Sequence, residues 1–206
     1  MTPQAPGLTL SIAAGYLIGS VPTPFLIVRA LSGIDLRDYG TGNVGVMNSW
    51  SALGRRGFLV VLTVELVKGI VAALAGNWIA GPQGAWMAVI SAVVGANWSA
   101  WLGWSGGRGN TVFVGGLIVV APPLLLSLVI VWLAARAVLG SAFRATRFNI
   151  YTLPVQIALW SWASEPRELL AFEVVSGLAL TCIFVSRHRK DTDDHIALRA
   201  KSQGGA

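Results

Sequence analysis

Charge is scarce in this chain of 206 residues: Asp, Glu, Lys and Arg together make up 12%, against roughly 25% in soluble domains. A water-soluble surface needs ionic side chains to cover it, so a soluble fold of this size is excluded. A single cysteine, Cys182, rules out an intrachain disulfide and any cysteine-built metal cluster; lying in an apolar run, it reads as a small buried side chain. No Lys or Arg precedes Arg29, so the N-terminus lacks the positive region of a signal peptide, and the first apolar run is expected to stay as a helix. No Ser/His/Asp constellation, no His or Cys pattern with metal-ligand spacing and no long acidic run stands out, so neither a metal nor a cofactor is expected. The net charge of +6 does not point to nucleic acid, because the polar segments are too short to form a separate basic domain.

What the chain has is apolar length. Hydrophobic residues make up 54%, in runs too long for a compact core, which gives an all-α integral membrane protein. Stretches of about the ~20 residues that a spanning helix needs run over 8–30, 57–80 and 82–103. The run from Thr111 to Val138 is too long for one span and carries Pro122 and Pro123, so two short helices are expected, over 110–121 and 122–138. Two more follow over 148–163 and 167–186, with Ser164, Glu165 and Pro166 as the turn. Residues 1–190 thus read as one membrane domain of seven transmembrane helices, and 191–206 as a short, partly disordered polar tail.

Basic residues concentrate in cytoplasmic loops, which tests the count independently. With the N-terminus outside and the C-terminus cytoplasmic, thirteen of the fifteen basic side chains fall inside, only Arg167 falls outside, and Lys68 lies within a span. Trp78, Trp86, Trp160 and Trp162 then lie near outer ends and Trp98, Trp101 and Trp104 near an inner end, as interfacial anchors. Gly15 and Gly19, at small-xxx-small spacing, are expected to let helices pack closely.

Two glycine-rich segments interrupt the membrane pattern, Tyr39-Gly40-Thr41-Gly42-Asn43-Val44-Gly45 and Gly103-Trp104-Ser105-Gly106-Gly107-Arg108-Gly109. Glycine lets a backbone turn its amides inward, and a nest of N–H groups beside a cation suits an anion such as phosphate. Either segment alone is as readily a tight turn; two on the predicted cytoplasmic side favour binding. Glu65 and Lys68 share a helix face at membrane depth, where an unpaired charge is costly, so they read equally as an internal ion pair or as groups reaching a ligand. Ser20-Val21-Pro22 in the first span reads as a kink. His188, at the inner end of the last span, reads from its neighbours alone as a solvated interfacial residue, and His195 has no pattern around it.

These residues resemble a known family. Ser20-Val21-Pro22, Gly33-Ile34-Asp35-Leu36-Arg37, Gly40-Thr41-Gly42-Asn43-Val44-Gly45 with Asn48, Leu53-Gly54, Lys68-Gly69, Gly95, Gly106-Gly107-Arg108-Gly109 and Arg187-His188 look, in order along nearly the whole chain, like the bacterial acyl-phosphate:glycerol-3-phosphate acyltransferase (PlsY) family. The resemblance implies transfer of a fatty acyl group from acyl phosphate to the 1-hydroxyl of glycerol 3-phosphate, giving lysophosphatidic acid. It implies seven helices in the bacterial inner membrane, surrounded by membrane lipids, with the site facing the cytoplasm. Thr41, Asn43, Lys68, Arg108 and His188 become candidate catalytic residues, and Gly40, Gly42, Gly45, Asn48, Gly106, Gly107 and Gly109 candidate substrate-binding residues. An acyl phosphate is already activated, so no protein nucleophile is needed, only the holding of two phosphates and the orienting of a hydroxyl.

Some positions depart from the family. Thr41 stands for the usual serine and Arg108 for the usual lysine, with donor capacity kept. Met47 stands for threonine, Ser51 for arginine, Ala96 for histidine, Ile150 for a hydroxyl residue, Glu65 for aspartate and Asp191 for asparagine. Serine at position 51 cannot imitate the bidentate contact of an arginine. Two further readings stand beside the acyltransferase: a weakened or inactive member that binds a phosphorylated lipid or a partner protein, or acylates another phosphorylated alcohol, and a small transporter, which lacks the expected repeated pair of broken helices.

Overall fold

The computed structural model describes residues 5–164 and 170–188; the expectations for Glu165, Pro166 and the tail with Asp191 and His195 lie outside them. Among the described residues the regular structure is helical: α1 (Ala5–Ser20), α2 (Thr23–Ser32), α3 (Val46–Asn97), α4 (Asn110–Val120), α5 (Pro122–Leu139), α6 (Ala142–Ala163) and α7 (Leu170–Arg187), with a 3₁₀ turn at Ala100–Leu102. Three stretches are long and apolar enough to cross a membrane, Ala5–Ser32, Val46–Leu102 and Pro122–Leu139. The chain forms two compact units, Met1–Val120 and Ala121–Ala206.

In the first unit, the 52 residues of α3 do not make one rod, because Gly54, Ala80 and Gly81 leave helical geometry. The break at Ala80–Gly81, followed by Pro82, falls between the two expected spans, and it folds the chain so that Gly76 and Gly84 meet backbone to backbone. The second of those spans ends sooner than expected as an α-helix, at Asn97 rather than 103, and the chain continues through the 3₁₀ turn to Gly103. Close approach is the rule in this unit. A methyl group on Gly15 or Gly19 would overlap the backbone of Ala88 or Ala92, and one on Gly69 or Gly115 would overlap the backbone of Val112 or Leu66. Lipid tails are as apolar as side chains, so helices associate in a bilayer through such packing rather than through hydrophobic burial.

The first span, expected as one helix over 8–30, is instead two, broken at Val21–Pro22. Pro24 has no N–H to serve the Ser20 carbonyl, which accepts from Ser99 Oγ at 2.6 Å. The Val21 carbonyl accepts from the Thr23 amide at 2.9 Å and from Lys68 Nζ at 2.7 Å. Trp101 Nε1 donates to Ser20 Oγ at 3.1 Å, and the Tyr16 hydroxyl donates to the Trp98 carbonyl at 3.1 Å. The break is therefore sealed by side chains from α3 and the loop after it, as backbone in lipid requires.

In the second unit, α5 starts with proline in its first turn, where a missing N–H costs nothing, and stops at Gly140 in the left-handed conformation. α6 starts six residues before the expected 148, because Ser141 caps it by accepting from the Arg144 amide. The Ser127 hydroxyl donates to Gln156 Oε1 (3.2 Å), Gln156 Nε2 donates to Asn149 Oδ1 (2.9 Å), and Asn149 Nδ2 donates to the Leu128 carbonyl (2.9 Å), joining α5 to α6. Two residue expectations are corrected. Trp86 is no interfacial anchor but is buried among small residues, at 2% exposure. Cys182 is exposed on α7, since its helix turns Leu180 and Phe184 inward instead.

Candidate active site

The first glycine segment is a constructed loop. Between α2 and α3, Leu36 and Val44 pack with Val28 into a small apolar core, joined by Phe25, Ile34, Leu53 and Leu102. Asp35 holds the preceding turn: Arg37 Nη2 donates to its Oδ2 at 2.6 Å, and Arg29 lies 3.9 Å away. The hydrogen bond from the Arg37 side chain, above all, lowers the Asp35 carboxyl from 3.8 to about 2.

Asn48, at 2% exposure, is the organiser of this loop. Its Oδ1 accepts from the Thr41 amide (3.1 Å), and its Nδ2 donates to the carbonyls of Leu36 (3.1 Å) and Tyr39 (2.9 Å). That oxygen occupies the place a Gly40 side chain would take, and Gly40 has φ 57°, so position 40 needs glycine on both counts. The Thr41 hydroxyl accepts from the Asn43 amide at 3.3 Å. The side-chain amide of Asn43 makes no hydrogen bond among the described residues and is partly exposed.

The second segment lies against the first. A Gly107 side chain would meet the Val44 carbonyl and the Gly45 backbone, so the two loops share one backbone-to-backbone contact. The Gly107 amide donates to the Ala96 carbonyl at 2.8 Å, and Gly106 lies on the carbonyls of Ala96 and Asn97. Arg108 is half-buried between the buried Gly107 and Gly109, and α4 starts right after. The Phe113 amide bonds the Gly109 carbonyl at 2.9 Å, so the first-turn amides of α4 face out of the helix end beside Arg108. A helix N-terminus and a guanidinium meet there, an arrangement suited to an anion.

Lys68 and Glu65 are both buried. Lys68 Nζ donates to Glu65 Oε1 at 2.9 Å as well as to the Val21 carbonyl, and the Thr23 hydroxyl donates to the same carboxylate oxygen. The internal pairing is thus formed. Met47 and Ser51 are exposed, and the Tyr39 hydroxyl donates to the Ser51 carbonyl at 3.1 Å.

His188 belongs to the second unit, where it is buried at 4% exposure rather than solvated. It packs between the Phe143 and Phe184 rings, each centroid 6.4 Å away, and Nδ1 lies 2.9 Å from the Phe184 carbonyl, which places the proton of the neutral ring on Nδ1. Sequence reasoning missed Asn97, which is fully buried beside the second loop, and Thr23, the third member of the Glu65 cluster. Both lie in apolar stretches of the sequence, and a polar residue at a helix end was the available signal.

Comparison with known proteins gives consistent matches. The family model described as Glycerol-3-phosphate acyltransferase matches residues 9–197. The chain is 34% identical over 92% of both lengths to the glycerol-3-phosphate acyltransferase of Desulforudis audaxviator. It is 42% identical to glycerol-3-phosphate acyltransferase 2 of Moorella thermoacetica over 61% of this chain and 64% of that one. Its fold is similar to the crystal structure of PlsY (YgiH), an integral membrane glycerol 3-phosphate acyltransferase, in the glycerol 3-phosphate form, with TM-score 0.74 and 24% identity over 93% of each chain.

Proposed function

The chain belongs to the glycerol-3-phosphate acyltransferase family, and on that premise we propose that its paired glycine loops hold an acyl phosphate and glycerol 3-phosphate for direct acyl transfer. It is a membrane acyltransferase of phospholipid synthesis. The 1-hydroxyl oxygen of the acceptor attacks the acyl carbon and forms the ester bond. The bond from that carbon to the phosphate oxygen breaks, and the hydroxyl proton leaves on the released inorganic phosphate, so that lysophosphatidic acid and phosphate balance the two substrates.

The observation that carries this reading is the contact of Gly107 with Val44 and Gly45, which joins both loops at the N-terminal end of α4. Arg108 supplies a bidentate cation to phosphate, the first-turn amides of α4 supply fixed dipoles beside the loops built on Gly42, Asn43, Gly106 and Gly107, and the Thr41 hydroxyl and the Asn43 side-chain amide add donors. Charge moves from acyl carbonyl to leaving phosphate during the reaction, and preorganised donors stabilise it without rearranging. Gly40, Gly45 and Gly109 let the backbone come close, while Asn48 acts through the loop as a positioning residue. Lys68 likewise positions, by sealing the α1–α2 break. The part of His188 rests on the family resemblance alone.

The apolar runs support seven spans, the charge distribution supports an outer N-terminus and a site facing the cytoplasm, and the family resemblance supports a bacterial inner membrane. A soluble phosphate then meets an acyl tail held in membrane lipid. Purified protein in lipid, given acyl phosphate and glycerol 3-phosphate, is expected to yield phosphate and lysophosphatidic acid in equal amounts. Phosphate release no faster than in protein-free vesicles would remove the reading.

A further inference from the structure

One polar atom in the wall of the second loop has no part in the chemistry above. Asn97, the last residue of α3, is fully buried, and its Nδ2 donates to the Val93 carbonyl at 2.8 Å. That bond fixes which end of the amide is which, since the reverse would face two acceptors. The other end, Oδ1, is buried and accepts no hydrogen bond among the described residues. The amide lies against Gly109, where a side chain would come within 3.0 Å of Nδ2, and the main-chain carbonyl of Asn97 abuts Gly106. The Asn97 amide group thus lies in the wall of the second loop, against Gly109, the neighbour of Arg108.

A buried carbonyl left without a donor is destabilising, and an apolar residue of similar size would avoid the cost. Phosphate cannot supply the missing donor, because a bound phosphate dianion is an acceptor only. A hydroxyl can. The hydroxyl that attacks the acyl carbon must lose its proton, and an amide oxygen is too weak a base to receive it. A hydroxyl that keeps its proton matches an amide acceptor.

We propose that Asn97 Oδ1 accepts a hydrogen bond from the 2-hydroxyl of glycerol 3-phosphate, making Asn97 a residue that selects a polyol phosphate as acceptor. The assignment rests on the acyl-transfer reading and deepens it. An acceptor without that hydroxyl leaves Oδ1 unpaired again, which is how buried polar groups reject a deoxy analogue.

The test compares kcat/KM for glycerol 3-phosphate and for 3-hydroxypropyl phosphate, which lacks the 2-hydroxyl, using purified protein in lipid with acyl phosphate as donor. Wild type is expected to favour glycerol 3-phosphate by about tenfold or more. Asn97→Leu is expected to bring the ratio close to one, chiefly by raising KM for glycerol 3-phosphate, while 3-hydroxypropyl phosphate is used as before. Asn97→Ala carries the same expectation should the leucine variant not fold. Equal use of both acceptors by wild type overturns the assignment and leaves acyl transfer intact. A preference that survives in the variants, with both rates falling together, also overturns it and makes Asn97 structural. Transfer to neither acceptor by wild type overturns the acyl-transfer reading itself.

Discussion

Asn48 and Arg108 divide the work of the candidate site, one facing the protein and the other the ligand. Asn48→Ala leaves the Leu36 and Tyr39 carbonyls and the Thr41 amide without their side-chain partner, at a cost of about 2 kcal/mol or more. We expect a lower melting temperature together with loss of turnover. Arg108→Ala is expected to lower kcat/KM by about 10²-fold, as removal of one charge-stabilising donor does. Arg108→Lys should be milder, since the charge remains; equal turnover by Arg108→Ala and wild type would show that the cation lies elsewhere. Asp35 gives a pH signature. Its carboxyl lies lower in the folded protein than the ordinary 3.8, so its contribution is full above that value and is lost as pH falls toward about 2. Stability of Asp35→Asn, followed from pH 5 to about 2, should fall less steeply than that of wild type. The sequence made Arg108 legible because a cation among glycines is conspicuous. It did not reveal that Asn48 spends its whole amide on the loop backbone, which depends on where the chain turns.

At the scale of elements, hydropathy located the helices and glycine set their spacing. The pair α4 and α5 was readable from Pro122 and Pro123, and the break in α3 from the apolar runs on either side of Gly81. The start of α6 was not, because residues 142–147 carry two arginines and hydropathy takes them for a loop, whereas the cap at Ser141 makes them helix. The division of the first span was visible only as a kink, since hydropathy does not register who satisfies a freed carbonyl. Gly19 tests the packing argument. Its missing side chain is where the Ala92 backbone lies, so Gly19→Leu must push α1 off the last part of α3. We expect it to cost several kcal/mol and to yield little folded protein in detergent, whereas Gly33→Ala, which meets nothing within 4 Å, should cost about 1 kcal/mol from its left-handed backbone alone. Similar thermal stability of the two variants would contradict close packing of α1.

At the scale of the whole molecule, each of the two compact units is built of apolar helices. Charge asymmetry gives the proposed orientation, and two positions in the first unit suffice to check it. In a Cys182→Ser background, Gln83→Cys, next to the turn in α3, should react with a membrane-impermeant thiol reagent from outside in intact cells. Met47→Cys, exposed beside the first glycine loop, should react only after the membrane is opened. Labelling of both in intact cells would reverse the placing of the site. The division into two units, by contrast, was not legible in hydropathy, which scores each run alone and carries no record of which runs touch.

The sealed break between α1 and α2 also sets an order on biogenesis. The Ser20 carbonyl leaves the ribosome long before the Ser99 hydroxyl that satisfies it, which lies 79 residues further along the chain, and the Val21 carbonyl, bonded locally to the Thr23 amide, gains Lys68 47 residues on. Until then the first segment has polar backbone facing lipid or the insertion machinery, and Lys68 likewise enters as a charge with Glu65 for company. This segment is thus made before the groups that complete it and is finished only after them. Nascent chains halted before residue 99 has emerged should hold that segment extractable by alkali or open to cleavage near Val21, and chains halted well after it should not.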